Sequence, residues 1–278
     1  MTKQPADIGE LAARLKEISE DLSGETSPIP QPQAKRLRKA ITEACDKIRR
    51  AVEDLDPIKQ PDSVFDPSNP NVTGRVIAIT MIAQERRQLA EIERAYGSGV
   101  YALYYNGDFL PYGGISGCEH PIYVGKADPS SPGSNTAAEQ GEKLYTRLNE
   151  HRKSIAKAKT TLRVEDFEYR SLVVKSGWQN SAENYLIHLF KPLWNLQTDI
   201  CYGIGKHGDD PETRANLRSP WDTLHPGRDW AHRDPAMKDA RPRDRIVSEI
   251  EGHLLKYPPV RTIDAILRVF LEEMRTAS

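Results

Sequence analysis

Apolar side chains recur every three or four positions at the start of the chain: Leu11, Leu15, Ile18 and Leu22 within residues 7–22, then Leu37, Ile41, Ala44, Ile48, Val52 and Leu55 within 34–55. Charged residues fill the gaps and the proline-rich SPIPQPQ separates the two stripes, so the pattern predicts two amphipathic helices joined by a turn. Such a hairpin would pack on the core or on another subunit. A polar loop over 62–74 and a helix over 75–96, stopped by Gly97 and Gly99, complete a predicted N-terminal helical extension spanning 1–98. The period then changes. VYALYY at 100–105 and PIYVG at 121–125 are rich in β-branched and aromatic residues, as strands are. After an exposed loop over 128–140 come a helix over 142–158, a strand over 167–174, and a helix over 181–190 that Lys191-Pro192 stops. This β-β-α-β-α order predicts an α/β (α+β) domain over 99–197, with a small, mainly antiparallel sheet of about three strands flanked by helices. The rest, 198–278, reads as a C-terminal arm rich in Gly, Pro and Trp to about residue 239, then two amphipathic helices at 244–256 and 263–274.

A net charge of -1, with 28% charged and 38% hydrophobic residues, describes an ordinary globular chain and does not by itself point to a polyanionic partner. The distribution does. Between Gln140 and Arg163 lie seven basic residues (Lys143, Arg147, Arg152, Lys153, Lys157, Lys159, Arg163) and two acidic ones (Glu142, Glu150), a balance of +5 that suggests a phosphate-facing helix. Cys45, Cys118 and Cys201 form no C-x-x-C pair, which argues against a disulfide framework and against a zinc site. No apolar run nears the roughly 18 residues of a membrane span, and the N-terminus lacks a signal-peptide core, so a cytoplasmic protein is expected.

Helix geometry sharpens the candidate chemistry. At 100° per residue from Leu144, Leu148 and Ile155 form an inward stripe, with His151 at about -20° and Arg147 at about -60° on its flank. A phosphate would justify holding both there; a hydrogen-bonded core histidine beside a surface arginine is the plainer alternative. Glu183 precedes Leu186 and Ile187 by three and four residues and faces inward, either as a metal ligand or as the N3 member of a capping box on Asn180. Tyr101 and Tyr123 are packed strand aromatics unless adjacent strands bring their hydroxyls to one place.

Gly99-Val100-Tyr101 followed by Tyr123-Val124-Gly125 resembles the paired motif of the GIY-YIG nucleases, with Val for Ile in both and Lys126 after the second. Arg147 on the first helix, Glu183 on the second and Asn195 closing KPLWN match the family's supporting positions in order. With His151 one turn after the arginine, the wording YALYY, HPIYVGKAD and LYTRLNEHRKS is similar to the family's type II restriction endonucleases that cut at CCGCGG. The resemblance implies the GIY-YIG fold over 99–197 and a site-specific endonuclease that hydrolyses double-stranded DNA. It implies one Mg²⁺ per active site held by Glu183, with Mn²⁺ as a substitute. In that scheme Tyr101 activates water and relays its proton to His151 or Lys126, Arg147 and Tyr123 bind and polarise the phosphate, and Asn195 fixes the local geometry. A palindromic GC-rich site, a homodimer, and a cognate DNA methyltransferase as a functional rather than physical partner are further implications.

Three alternatives remain open: a repair nuclease or a mobile-element nuclease of the same fold, and a catalytically silent DNA-binding protein, which would have no need of an inward glutamate near phosphate. The commonest restriction-enzyme metal motif requires an acidic residue two positions before a lysine, and no lysine of this chain has one. Candidate base readers are Asn135, Gln140, Lys206, His207, Arg214, Arg218 and Arg228. The 201–233 segment, with Trp221 and Trp230, reads more readily as a packing arm than as a recognition element.

Overall fold

The computed structural model describes residues 8–23, 30–55, 58, 66–205, 217–232 and 236–276. Contacts divide the chain into two units, Met1–Ser63 and Val64–Ser278. The first holds α1 (Ile8–Ser23) and α2 (Gln31–Leu55), the two helices expected from the apolar stripes. Leu11, Leu15 and Ile18 expose about half their surface (48%, 47% and 55%), and no described residue of α2 is buried.

In the second unit the chain departs from the pattern at once. Helix α3 covers Pro70–Ile82, not 75–96. It begins early because the Asn69 side chain accepts from the Asn71 amide and Pro70 occupies the first helical turn, where its missing N–H costs nothing. It ends early because the helix-favouring run that follows is claimed by tertiary contacts. Arg87–Gln88 forms an edge strand, β1, and Leu89, in a short 3₁₀ turn over Leu89–Glu91, is fully buried.

The sheet is completed by β2 (Gly99–Tyr105), β3 (Tyr123–Ala127) and β4 (Phe167–Val173), in the order β1-β4-β2-β3 with every pairing antiparallel. It has four strands, since β1 joins the three that the sequence suggests. Two helices follow β3 along the chain before β4 is reached: α4 (Ala137–Gln140), inside the expected loop, and α5 (Lys143–Lys157). After β4 comes α6 (Gln179–Phe190).

Every residue of β2 is buried, because helices cover both faces of the sheet and the strand has no solvent side to alternate with. Tyr101, Leu103 and Tyr105 point to the α5 face, where they join Leu144, Leu148, Ile155 and Trp194. Val100, Ala102 and Tyr104 point the other way, to Ala78, Met81 and Ile82 of α3 and to Ala182 and Leu186 of α6. Gly99 opens β2 with φ +156°, and a Cβ there would lie 2.0 Å from the Leu172 carbonyl oxygen of β4.

The later segments are β5 (Leu217–Arg218), α7 (Pro220–Leu224), α8 (Asp229–His232), β6 (Lys238–Asp239), α9 (Arg243–Lys256) and α10 (Ile263–Thr276). β5 and β6 form a two-stranded parallel pair. The arm packs onto the α5 side of the core through Trp221, Leu224, Ile246 and Ile250. Trp221 and Leu224 are therefore structural, in keeping with the reading of this segment as a packing arm. No helix among the described residues is long and apolar enough to cross a membrane.

Candidate active site

β3 is an edge strand, and α5 and the first turns of α6 both reach it, from opposite faces of the sheet. A cleft of about 510 Å³ opens there, lined by Tyr101, Tyr123, Lys126, Asp128, Lys143, Arg147, Glu150, His151 and Glu183 among others. Clefts of about 680 and 670 Å³ lie elsewhere in this unit. Neither contains Tyr101 or Tyr123, the tyrosines of the paired motif, so the motif and not volume selects the site.

Tyr101 and Tyr123 meet across the β2–β3 ladder. Tyr101 pairs with Gly125 and Leu103 with Tyr123, so the two tyrosines sit on one face of the sheet, with ring centroids 6.1 Å apart. The glycine makes this possible: a Cβ on Gly125 would lie 2.6 Å from both Cζ and Oη of Tyr101 and 2.9 Å from Cε1 of Tyr123. The second motif thus ends in glycine because the first motif's tyrosine occupies the space above it.

His151 lies inward on α5, as its helical position suggests, and is 3% exposed. Its Nε2 is 2.8 Å from Tyr101 Oη, and its ring stands edge-on to Tyr123 at 4.9 Å. Burial pushes the Tyr101 phenol well above its ordinary value, with Tyr123 adding to the effect and the Arg147 charge opposing it. Tyr123 is raised too, first by burial and then by the Glu183 carboxylate.

Arg147, one turn before the histidine, lies on the rim with half of its side chain exposed, and its Nη1 donates to Glu150 Oε2 at 2.9 Å. Lys126 at the end of β3 donates to both oxygens of Asp128, at 2.8 and 3.1 Å. Glu183 is half-buried on α6. Burial raises its carboxyl above the usual range, while the Lys126 ammonium and backbone N–H and the Arg147 charge pull it back. It forms no capping box: Asn180 lies inside the helix, whose N-cap is Trp178 without a side-chain cap. Asn195 is buried beneath β3 and clamps its backbone at both ends of one residue, accepting from the Val124 N–H at 3.0 Å and donating to the Val124 carbonyl at 2.8 Å. Val124 sits between Tyr123 and Gly125, so this clamp holds the register of the second motif.

All seven sequence candidates therefore gather at one place, six lining the cleft and Asn195 bracing its floor. Two contributors went unforeseen, Asp128 and Glu150. Spacing could have found both, since Glu150 is three residues beyond Arg147 on the same helix and Asp128 is two beyond Lys126 along an extended chain.

The proposed base readers fare differently. Gln140 is buried, accepting from the Ser98 amide and donating to the Val174 carbonyl. Arg218 is held by Asp239 and by the Ala231 and Met237 carbonyls. Arg228 is buried in a two-point pair with Asp222, its nitrogens 2.7 and 2.8 Å from the carboxylate oxygens. These three are committed to the fold. Asn135 is exposed in the loop before α4, and Lys206, His207 and Arg214 lie outside the described residues.

The site suits a hard cation. It offers oxygen ligands, and burial, with the neighbouring Asp128 charge, raises the Glu183 carboxyl above its ordinary value against the pull of Lys126 and Arg147. Among the described residues no group of three or more His, Cys, Asp or Glu side chains could enclose a metal ion; a hard ion that keeps most of its water is the kind that needs few protein ligands.

Comparison with known proteins yields one result of substance. A family model described as the Eco29kI GIY-YIG domain matches residues 93–254. No curated protein matches the chain. The match covers more than half of the 278 residues and takes in the four-stranded sheet except β1, both tyrosine motifs and the helices bearing Arg147, His151 and Glu183. The chain belongs to the Eco29kI GIY-YIG domain family, a family of restriction endonucleases, and is a nuclease of the GIY-YIG class.

Proposed function

We propose that the protein is a type II restriction endonuclease that hydrolyses phosphodiester bonds in double-stranded DNA at a specific site, using a tyrosine-activated water and one divalent ion. The observation that carries this reading is the 2.8 Å contact between Tyr101 Oη and His151 Nε2 inside a cleft that also presents Tyr123, Arg147 and Glu183.

Burial makes a bare tyrosinate at position 101 costly, so Tyr101 works best as a relay and not as a standing base. As its oxygen takes a proton from the attacking water, its own proton passes to His151 Nε2. The hydroxide oxygen bonds to phosphorus, the bond to the 3′ oxygen breaks, and that oxygen takes a proton from solvent to leave as the 3′ hydroxyl. Lys126 is the weaker candidate for the relay because its ammonium is bonded to Asp128. Arg147, kept charged by Glu150 and by the nearby tyrosines, and Tyr123 donate to the phosphate oxygens as charge gathers on them. Glu183 would hold the ion, which when bound supplies neutralising charge to the phosphate and the departing oxygen. Asn195 keeps Tyr123 and Gly125 in register beneath the reacting group.

A palindromic, GC-rich target fits a two-fold homodimer with one active site for each strand, and a methyltransferase of the same specificity would protect the host. CCGCGG is the specific sequence to try first. Supercoiled plasmid incubated with Mg²⁺, with Mn²⁺ and with chelator is the direct test, followed by mapping of the cut ends. Cleavage should need the ion and fall at one sequence. Glu183→Ala and Arg147→Ala should each lower the rate at least about a hundred-fold while DNA binding stays measurable; either variant cutting normally would remove that residue from the mechanism.

A further inference from the structure

The two cations that line the cleft beside the tyrosines already have anionic partners from within it. Arg147 Nη1 is 2.9 Å from Glu150 Oε2, and Lys126 Nζ is 2.8 Å from Asp128 Oδ2. Asp128 is in turn steadied by Gln179, whose Nε2 donates to its Oδ1 at 3.1 Å. With Lys143 and Glu183 added, the cleft lining carries three basic groups (Lys126, Lys143, Arg147) and three acidic ones (Asp128, Glu150, Glu183), a formal charge of zero. A surface that binds a polyanion by releasing counterions gains nothing from such a balance.

Neither pair is strong. Arg147 and Glu150 have 50% and 33% of their side chains exposed, and Lys126 and Asp128 have 27% and 58%. Exposed pairs of this kind shift an equilibrium by at most about five-fold. A phosphate brings charge-assisted bonds to the same donors and can displace either carboxylate.

The geometry points to Glu150 and Asp128 as masking residues: each holds its cation at the cleft and cancels that cation's pull on a polyanion until a seated phosphate takes its place. Glu150 masks Arg147 and Asp128 masks Lys126. DNA that merely passes the cleft meets a neutral surface. A phosphate seated deeply enough to reach the donors uncovers both of them, so the device trades general affinity for discrimination. This inference rests on the nuclease reading, since it takes the phosphate of DNA as the displacing group.

The test is binding of the full chain to a duplex oligonucleotide in chelator, over a range of salt concentrations, so that cleavage plays no part. Glu150→Gln and Asp128→Asn should each tighten binding about five-fold. Each should steepen the slope of log K against log salt by about 0.9, one released counterion for each cation uncovered. The gain from Glu150→Gln should vanish in an Arg147→Ala background, and that from Asp128→Asn in a Lys126→Ala background. A gain that survives loss of the partner cation would reflect general charge and overturn the inference, as would unchanged or weaker binding by both single variants. If the parent chain and every variant fail to bind DNA at all, the nuclease reading itself falls, and the masking role with it.

Discussion

Among the described residues, two buried tyrosines of the same unit each hydrogen-bond to a buried histidine, and one of these pairs faces the candidate cleft. Tyr101 meets His151 at 2.8 Å; Tyr112 meets His225 at 2.6 Å. Both pairs are buried, and burial raises both phenols well above the ordinary value. The second pair is closed on all sides. Trp194 Nε1 donates to Tyr112 Oη at 2.8 Å, His225 Nδ1 lies 2.9 Å from Thr161 Oγ1, and the rings of Phe109 and Trp221 pack tilted against the imidazole. With Tyr112 donating to Nε2 and Nδ1–H donating to Thr161, each polar atom of the chain of contacts has a partner and no proton has anywhere to go. The first pair has Tyr123, Arg147, Lys126 and Glu183 within its cleft instead. Contact between a phenol and an imidazole is therefore common ground. Access and neighbouring charge separate a relay from a brace.

The largest effect that should divide the two is on rate. Tyr101→Phe should lower cleavage by about 10²- to 10⁴-fold, the usual worth of a general base, with the fold and DNA binding kept; single-turnover cleavage beside circular dichroism would show it, and near-normal cutting would dissolve the distinction. Tyr112→Phe should do the reverse. It strips a partner from Trp194 and from His225, at a cost of about 2 kcal/mol in urea unfolding, and should leave the rate per folded molecule unchanged.

Acid separates the pairs next. Burial, with the charges of Arg243 and Arg228, holds His225 well below 6.5 in the folded chain. A depressed folded pKa contributes stability that is present above 6.5 and lost as pH falls towards the folded value, at up to about 1.4 kcal/mol per pH unit. His120, lowered to about 4 by burial, adds a loss of the same sign between 6.5 and about 4. Unfolding free energy measured from pH 7.5 to 4.5 should thus drop, and His225→Gln should flatten the curve; an unchanged slope in that variant would show that the imidazole does not carry it. The smallest effect concerns the cleft: Glu150→Gln should alter unfolding by less than about 1 kcal/mol, because its pair with Arg147 is exposed. A larger loss would make that pair a structural one, like the buried Asp222–Arg228 pair, where both side chains are almost wholly enclosed.

Much of this was legible from the chain alone. The switch from helical to strand patterning near residue 99 and the helices that carry His151 and Glu183 follow from local periodicity and from turn and stop signals, and those act over a few residues. The helix expected over 75–96 failed for the opposite reason. Its favourable composition beyond Ile82 lost to long-range pairing of Arg87 and Gln88 with Tyr169 and Glu168, some eighty residues away in sequence. Gln140, Arg218 and Arg228 failed as base readers in the same way, because only folding brings their partners to them.

What the sequence determined by itself, then, was the identity and order of the reactive groups: two tyrosines with their glycines, an arginine and histidine one turn apart, a glutamate and an asparagine. Only the tertiary structure decided which polar groups face the cleft and which are enclosed within the fold. Convergence at the β3 edge depends on helices lying against opposite faces of one sheet, and engagement depends on distances between residues far apart along the chain. Local pattern carries neither, because hydrogen bonds and ion pairs are set by proximity in space and not along the sequence.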